Sequence, residues 1–361
     1  MAAVAAMRVL CSVLMGALLA VAGCAHAPPA HLLRSAPSPR ATWYPAGPPS
    51  PSNAAPGAAP YFVALAIQYA DEPALVTDAI TGKVLAAVHP PVRGTRFTGA
   101  AAAGDDHTFV LAAQKRQNAP AIRLYELRLG RSGHPRPLVL LSTPLIGFGE
   151  PFAVSADGSK LALATAAARI AAIEVVWLAT GSVRRWTAAS GDATDLSWAG
   201  NRLLAFQWRD GSRSPQVARA RSGVRLLDTA APGGNLLASR LVIHQAARTH
   251  LGDFTGLAYP LISADGSILF ATMLWGAPSN PRAEVVEFSA RTGRALRVVT
   301  PARDESGMGS WCGVLWTDPS GTHAAAACAE QGRIDNGRFS AADLHAPVYN
   351  FSAPRDSFIA W

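Results

Sequence analysis

Phe152-Ala-Val-Ser155, Ala156-Asp-Gly-Ser-Lys160, Leu161-Ala-Leu-Ala-Thr165, Glu174-Val-Val-Trp-Leu178 and Thr180-Gly181, followed by Val183-Arg-Arg-Trp186, form the stretch whose reading decides the fold. Each apolar run is four to six residues long by the usual strand pattern and is bounded by Gly, Asp or Ser, which marks strands and not helices. Asp157-Gly158 is a hairpin signal, because both residue types tolerate a left-handed backbone. The same order of strand, polar turn, strand and Thr-Gly turn recurs about every 50 residues, and a fixed period of that size marks a repeat architecture.

The copies align along the chain. First strands are Pro151-Phe-Ala-Val-Ser155, Thr194-Asp-Leu-Ser-Trp198, Ala258-Tyr-Pro-Leu-Ile-Ser263 and Gly313-Val-Leu-Trp316. Second strands follow after a polar turn, as in His107-Thr-Phe-Val-Leu-Ala112, Leu203-Leu-Ala-Phe-Gln207 and Ile268-Leu-Phe-Ala-Thr272. Third strands include Ile122-Arg-Leu-Tyr-Glu-Leu127, Val224-Arg-Leu-Leu-Asp228 and Val285-Val-Glu-Phe-Ser289. The expected fold is all-β, a β-propeller of four-stranded blades. Six blades are expected, near 61–95, 96–146, 147–190, 191–250, 251–305 and 306–356; the long stretch from Pro232 to Gly256 leaves seven open. The chain enters at Tyr61-Phe-Val-Ala-Leu-Ala-Ile67 without a first strand and ends on Ser357-Phe-Ile-Ala-Trp361, a first strand with no second. The carboxyl-terminal strand is therefore expected to complete the first blade and remove the free sheet edges that invite aggregation.

Three segments are expected: a signal peptide over 1–23, a tether over 24–60 and the propeller over 61–361. Arg8 precedes an apolar run from Val9 to Val21, too short at about 13 residues to span a bilayer, and small residues follow. Met7 is a second candidate start. Leu19-Ala-Val-Ala-Gly-Cys24 resembles the bacterial lipobox, which makes Cys24 the expected acylated first residue; cleavage after Ala22 or Ala25 is the alternative, giving a secreted protein. Pro28-Pro29, Pro48-Pro49 and Pro51 interrupt any regular pattern in the segment that follows. Such a composition buries too little apolar area to offset its ordering entropy, and ~35 extended residues reach ~120 Å at most. The expected location is the extracytoplasmic face of the cell membrane, held by lipid.

The net charge of +8 is carried almost entirely by arginine, with only Lys83, Lys115 and Lys160 as lysines. The arginines are scattered, densest at Arg184-Arg185 and at Arg219 and Arg221, and are not interleaved with aromatics on one face. That pattern argues against nucleic acid as partner; attraction to anionic envelope polymers is compatible with it.

Candidate chemistry is sparse. Cys312 and Cys328 flank the turn Asp318-Pro-Ser-Gly321, and counting outward sets them nearly opposite on paired strands. In an exported protein such a pair reads as a disulfide, the alternative being two separately buried thiols. No two histidines have the spacing of a zinc helix; His244 and His250 lie nearest to a cluster and read as loop residues. No Gly-x-Ser-x-Gly elbow occurs, and Gly307-Met-Gly309 lacks the lysine of a phosphate loop. No catalytic residue, metal or cofactor is assigned. Trp198, Trp316 and Trp361 stand at the ends of first strands, where they either pack between blades or ring a channel mouth as stacking platforms for a ligand.

The turns Ser155-Ala-Asp-Gly158 and Ser263-Ala-Asp-Gly266, with the Thr-Gly turns, resemble the WD40-like and TolB-type repeats of exported bacterial proteins. The whole chain resembles a group of actinobacterial WD40-like lipoproteins. The Trp-Asp and Gly-His pairs of eukaryotic WD40 blades are absent. The resemblance implies the fold, and the expected role is a monomeric, noncatalytic module that binds a protein or glycan of the cell envelope or acts as a scaffold. A propeller hydrolase or lactonase with metal ligands from several blades is the alternative, and a purely structural envelope protein a third reading.

Overall fold

The computed structural model describes residues 60–66, 71–78, 83–115, 121–141, 145–146, 152–167, 170–245, 254–275, 282–300, 311–317, 323–330, 333–340, 351–353 and 357–360. The expected signal peptide, Cys24, nearly all of the tether, His250 and Trp361 lie outside them.

The chain is an all-β propeller of small antiparallel sheets. Strands β1 (Tyr61–Ala66), β2 (Ala74–Asp78) and β3 (Val84–Val88) pair in order. β4 (Arg96–Ala102), β5 (Thr108–Gln114), β6 (Ala121–Arg128) and β7 (Val139–Leu140) form the next sheet, with β8 (Leu145–Ile146) also on β6. β9 (Phe152–Val154), β10 (Lys160–Ala167), β11 (Ile170–Trp177) and β12 (Val183–Ala188) follow. β13 (Asp192–Ala199), β14 (Leu203–Arg209), β15 (Gly223–Asp228) and β17 (Arg240–His244) form another, while β16 (Gly234–Asn235) leaves it to pair parallel with β12. β18 (Phe254–Ile262), β19 (Ile268–Trp275), β20 (Arg282–Ser289) and β21 (Ala295–Thr300) make a further sheet. β22 (Trp311–Thr317), β23 (His323–Glu330), β24 (Arg333–Ser340) and β25 (Phe351–Ala353) make the last contiguous one. Finally β26 (Ser357–Ala360) returns to the start and pairs antiparallel with β1, Val63 opposite Ala360 and Leu65 opposite Phe358. Five sheets thus come from consecutive stretches of chain, and a further one joins its two described ends. The stretch that left an extra blade open is used differently: Gly234–Asn235 extends the preceding sheet and Arg240–His244 completes its own.

The repeat folds this way because neighbouring sheets bury side chains against each other, on both faces for the sheets of β4 to β7, of β9 to β12 and of β13, β14, β15 and β17. Side chains alternate across a strand, so on β5 Phe109, Leu111 and Ala113 pack toward the sheet of Val63, Leu65 and Val76. Val110 and Ala112 pack the other way, against Val154, Leu161 and Leu163. The next interface joins Ala162, Ile173 and Trp186 to Leu204, Phe206 and Trp208, and the one after joins Ala205, Val224 and Val242 to Leu269, Met273 and Phe288. A second strand flanked by sheets on both sides must be apolar at every step, which is why these strands read as continuous hydrophobic runs instead of alternating ones.

Three hairpins between first and second strands share one design. Ser155 N–H donates to Lys160 O, while the Asp157 carboxylate accepts from the Ser155 hydroxyl and the Ser159 N–H, with Gly158 at φ 70°. Ser263-Ala-Asp-Gly-Ser-Ile268 repeats these bonds, with Gly266 at φ 74°. A third copy at Ala103–Thr108 has Asp105 as the acceptor and Asp106 at φ 63° in the glycine's place.

Contacts between sheets also order the first strands. β4 neighbours β9, β9 neighbours β13, β13 neighbours β18 and β18 neighbours β22, while β26 touches both β22 and β4. These strands are innermost, around the central channel that propellers share. Antiparallel pairing then gives the propeller two distinct ends. The Ser-x-Asp-Gly hairpins, Tyr61 and Ala360 lie at one, the entry end; the start of β13, the end of β14 and the connection between β14 and β15 lie at the other, the far end. That connection carries a seven-residue helix, α1 (Pro215–Arg221), which buries none of its residues. Ser214 in extended conformation and Pro215 at its first position start it, as proline's fixed φ favours.

Candidate functional site

Two consecutive innermost strands break their register at equivalent steps. On β13, Thr194 faces Gln207 and Ser197 faces Ala205, so Asp195 and Leu196 together oppose Phe206. On β18, Ala258 faces Thr272 and Leu261 faces Phe270, so Tyr259 and Pro260 oppose Ala271. Each is a bulge, two residues against one, which re-aims a side chain. Asp195 and Tyr259, the first of each pair, both stand at φ 52°. A left-handed backbone at a bulky aromatic is strained and needs support from its surroundings.

The support is a set of bonds that tie β13 and β14 to β18. The Ser197 hydroxyl accepts from Ile262 N–H at 3.1 Å, and the Gln207 amide donates to Leu257 O. The Tyr259 N–H reaches Asp195 Oδ2 at 3.5 Å, and that oxygen also accepts from the Thr194 hydroxyl at 3.1 Å. Behind them Gly191, at φ 105°, lies where a Cβ would come within 2.4 Å of the Trp208 ring. Its missing side chain lets the chain turn closely into Asp192, opposite Arg209 in the ladder.

The result is a compact group of unlike polar functions. Burial pushes the Asp195 carboxyl above the ordinary carboxylate range, against the Thr194 and Tyr259 hydrogen bonds and the charge of Arg209. The Tyr259 hydroxyl is pushed up by burial and then by the Asp195 charge. Yet Tyr259 is 37% exposed and Arg209 is exposed. Asp195 Oδ1, the Tyr259 hydroxyl and the Arg209 guanidinium take part in no hydrogen bond among the described residues, so an acceptor, a donor-acceptor and a donor stand open beside an aromatic ring. The arrangement suits recognition of a polar ligand by hydrogen bonding and stacking. Among the described residues no three His, Cys, Asp or Glu side chains converge as a metal site would need; His244 is exposed at the end of β17.

The residues singled out from the sequence fall as follows. The Trp198 indole packs partly buried against the Leu204 and Phe206 cluster, and its Nε1–H donates to Ala153 O on the neighbouring β9 at 3.1 Å. Trp316 faces Ala325 in the ladder of β22 and β23. Cys312 and Cys328 are direct ladder partners on the same two strands. The sequence reading passed over Asp195, Tyr259 and Arg209. The sequence signal was Tyr259-Pro260 inside β18, since a regular ladder disfavours proline and a bulge accepts it; Asp195, among the other polar residues of Asp192–Ala199, gave none.

These features are those of a β-propeller, and a solved structure shares the fold. The chain is similar to TolB from Acinetobacter baumannii, with a TM-score of 0.55 and 15% identity over 85% of this chain and 67% of that one. It is also similar to the Synechocystis apocarotenoid oxygenase, at a TM-score of 0.45 and 11% identity, over 81% of this chain and 71% of that one. The dipeptidyl peptidase 4 of Porphyromonas gingivalis follows at 0.41 and 12%, over 80% and 45%. No protein-family model matches the sequence, and no curated protein does. At these identities the likeness speaks for the fold alone: the chain is a β-propeller, similar in fold to TolB.

Proposed function

We propose that this chain is a noncatalytic recognition module of the cell envelope, lipid-anchored through Cys24, that binds an envelope protein or glycan at the bulges midway along the innermost strands β13 and β18 of the propeller. In this reading β26 completes the first blade, and Cys312 and Cys328 form a disulfide between β22 and β23. The observation that carries it is the trio of Asp195, Tyr259 and Arg209: the first two are held at strained bulges by a bond between strands, Arg209 acts on both by its charge, and all three are left with open hydrogen-bonding groups. Strain of this kind costs on the order of 1–3 kcal/mol per residue and persists where something else depends on the geometry.

The test places a photoreactive benzoylphenylalanine at position 259 of the full chain in its native envelope, with a control at Val139, which is 55% exposed on an outer strand. A discrete adduct from position 259 that disappears with Asp195→Asn supports the reading. Equal labelling from both positions, or none from 259, overturns it.

A further inference from the structure

The connection between β14 and β15 at the far end lies against β14 and β17 yet buries no helical residue. The sequence 209–222 carries four arginines against one aspartate. The single acid, Asp210, is committed locally: its Oδ1 accepts from Ser212 N–H at 2.9 Å, and its own N–H donates to the Ser222 hydroxyl at 2.8 Å. Arg213, Arg219 and Arg221 are exposed. None of them forms a hydrogen bond or ion pair among the described residues, whereas Arg128, Arg185, Arg202 and Arg297 each have a carboxylate partner. Arg219 and Arg221 in the last turn answer the helix dipole to a degree worth a few tenths of a kcal/mol to about 1 kcal/mol. That accounts for their placement on the helix but not for Arg213, nor for Arg209, whose charge acts on Asp195 and Tyr259.

We propose that the α1 insertion and the trio form one surface whose partner is an anionic glycan, a polymer bearing carboxylate or phosphate groups on sugar rings. This rests on the reading of the trio as a recognition site and narrows it. Charge selects a polyanion, since exposed guanidinium groups pair bidentately with carboxylate or phosphate. One observation selects a glycan among polyanions. The Tyr259 ring and the Asp195 oxygen beside it offer stacking and hydroxyl acceptance, which sugar rings use and an acidic peptide or a lipid headgroup layer does not require.

The test measures binding of purified full chain to polygalacturonate, with dextran, polyglutamate and phosphatidylglycerol vesicles as parallel probes, and compares Arg213→Gln/Arg219→Gln/Arg221→Gln and Tyr259→Ala. Exposed glutamines leave the fold intact, which an unchanged Tm verifies. The expected result is binding to polygalacturonate alone, weakened roughly tenfold by the triple substitution and steeply by salt, and weakened also by Tyr259→Ala. Equal binding of polyglutamate, preference for the vesicles, or an unchanged affinity in the triple variant overturns the inference. If it is overturned while photolabelling from position 259 persists, the recognition reading stands and only the partner class falls; if both fail, the site itself is wrong.

Discussion

Asp195 combines two states that a carboxyl avoids together, a left-handed backbone and a position where burial disfavours its charge. Its folded pKa lies above the ordinary 3.8, so the fold favours the neutral form. Below pH 3.8 the group is protonated in both folded and unfolded chains and contributes fully; as pH rises through the folded value, ionisation costs stability. Asp195→Asn removes that cost. Its Tm should match the parent near pH 4 and exceed it increasingly toward pH 7; a difference of constant size, or of the opposite sign, would contradict the electrostatic account. Arg225 is the converse case, a guanidinium with 7% exposure whose Nη1 donates to Leu237 O and Ser239 O, stitching the turn before β17 onto β15. Arg225→Met leaves both carbonyls short of a donor and should cost on the order of 2 kcal/mol in chemical denaturation.

Among the elements, the Ser-x-Asp-Gly hairpins were fully legible because their backbone bonds depend on local chemistry: an Asp acceptor, a Ser donor and a glycine at positive φ. The copy at Asp105-Asp106 was not, since the glycine is replaced by another residue that enters the left-handed region at a cost. The substitutions should therefore move in opposite directions. Gly158→Ala should destabilise by about 1–2 kcal/mol, and Asp106→Gly should be neutral or stabilising by up to about 1 kcal/mol, both read from denaturation midpoints. Loss of stability in both would mean that the two hairpins do not share one design. The parallel pairing of Gly234–Asn235 with β12 left no trace in sequence, because two residues carry no period and the pairing is decided by a sheet formed earlier in the chain. The bulges were hidden for a similar reason. Thr194-Asp-Leu-Ser-Trp198 reads as an ordinary strand, and only the ladder to β14 reveals the extra residue.

At the scale of the whole molecule, the incomplete first repeat and the orphan strand at the carboxyl terminus were readable, because a blade that lacks one strand needs another to cover its edge. What a ligand would touch was not readable, since the trio is assembled across two repeats and an interface between sheets. The facing positions of Cys312 and Cys328 were also anticipated by counting outward from the turn. If they are bonded, intact mass on the unreduced protein is about 2 Da below the reduced value, and reduction lowers stability by on the order of 3 kcal/mol for a loop this short; identical masses would leave two free thiols. Completion of the first sheet rests on the carboxyl-terminal strand β26 pairing with β1. The most direct measurement is hydrogen exchange on the full chain against a chain ending at residue 356. Closure predicts that the amides of Val63–Ala66 lose protection and that Tm falls; unchanged exchange in β1 with an unchanged Tm would contradict it.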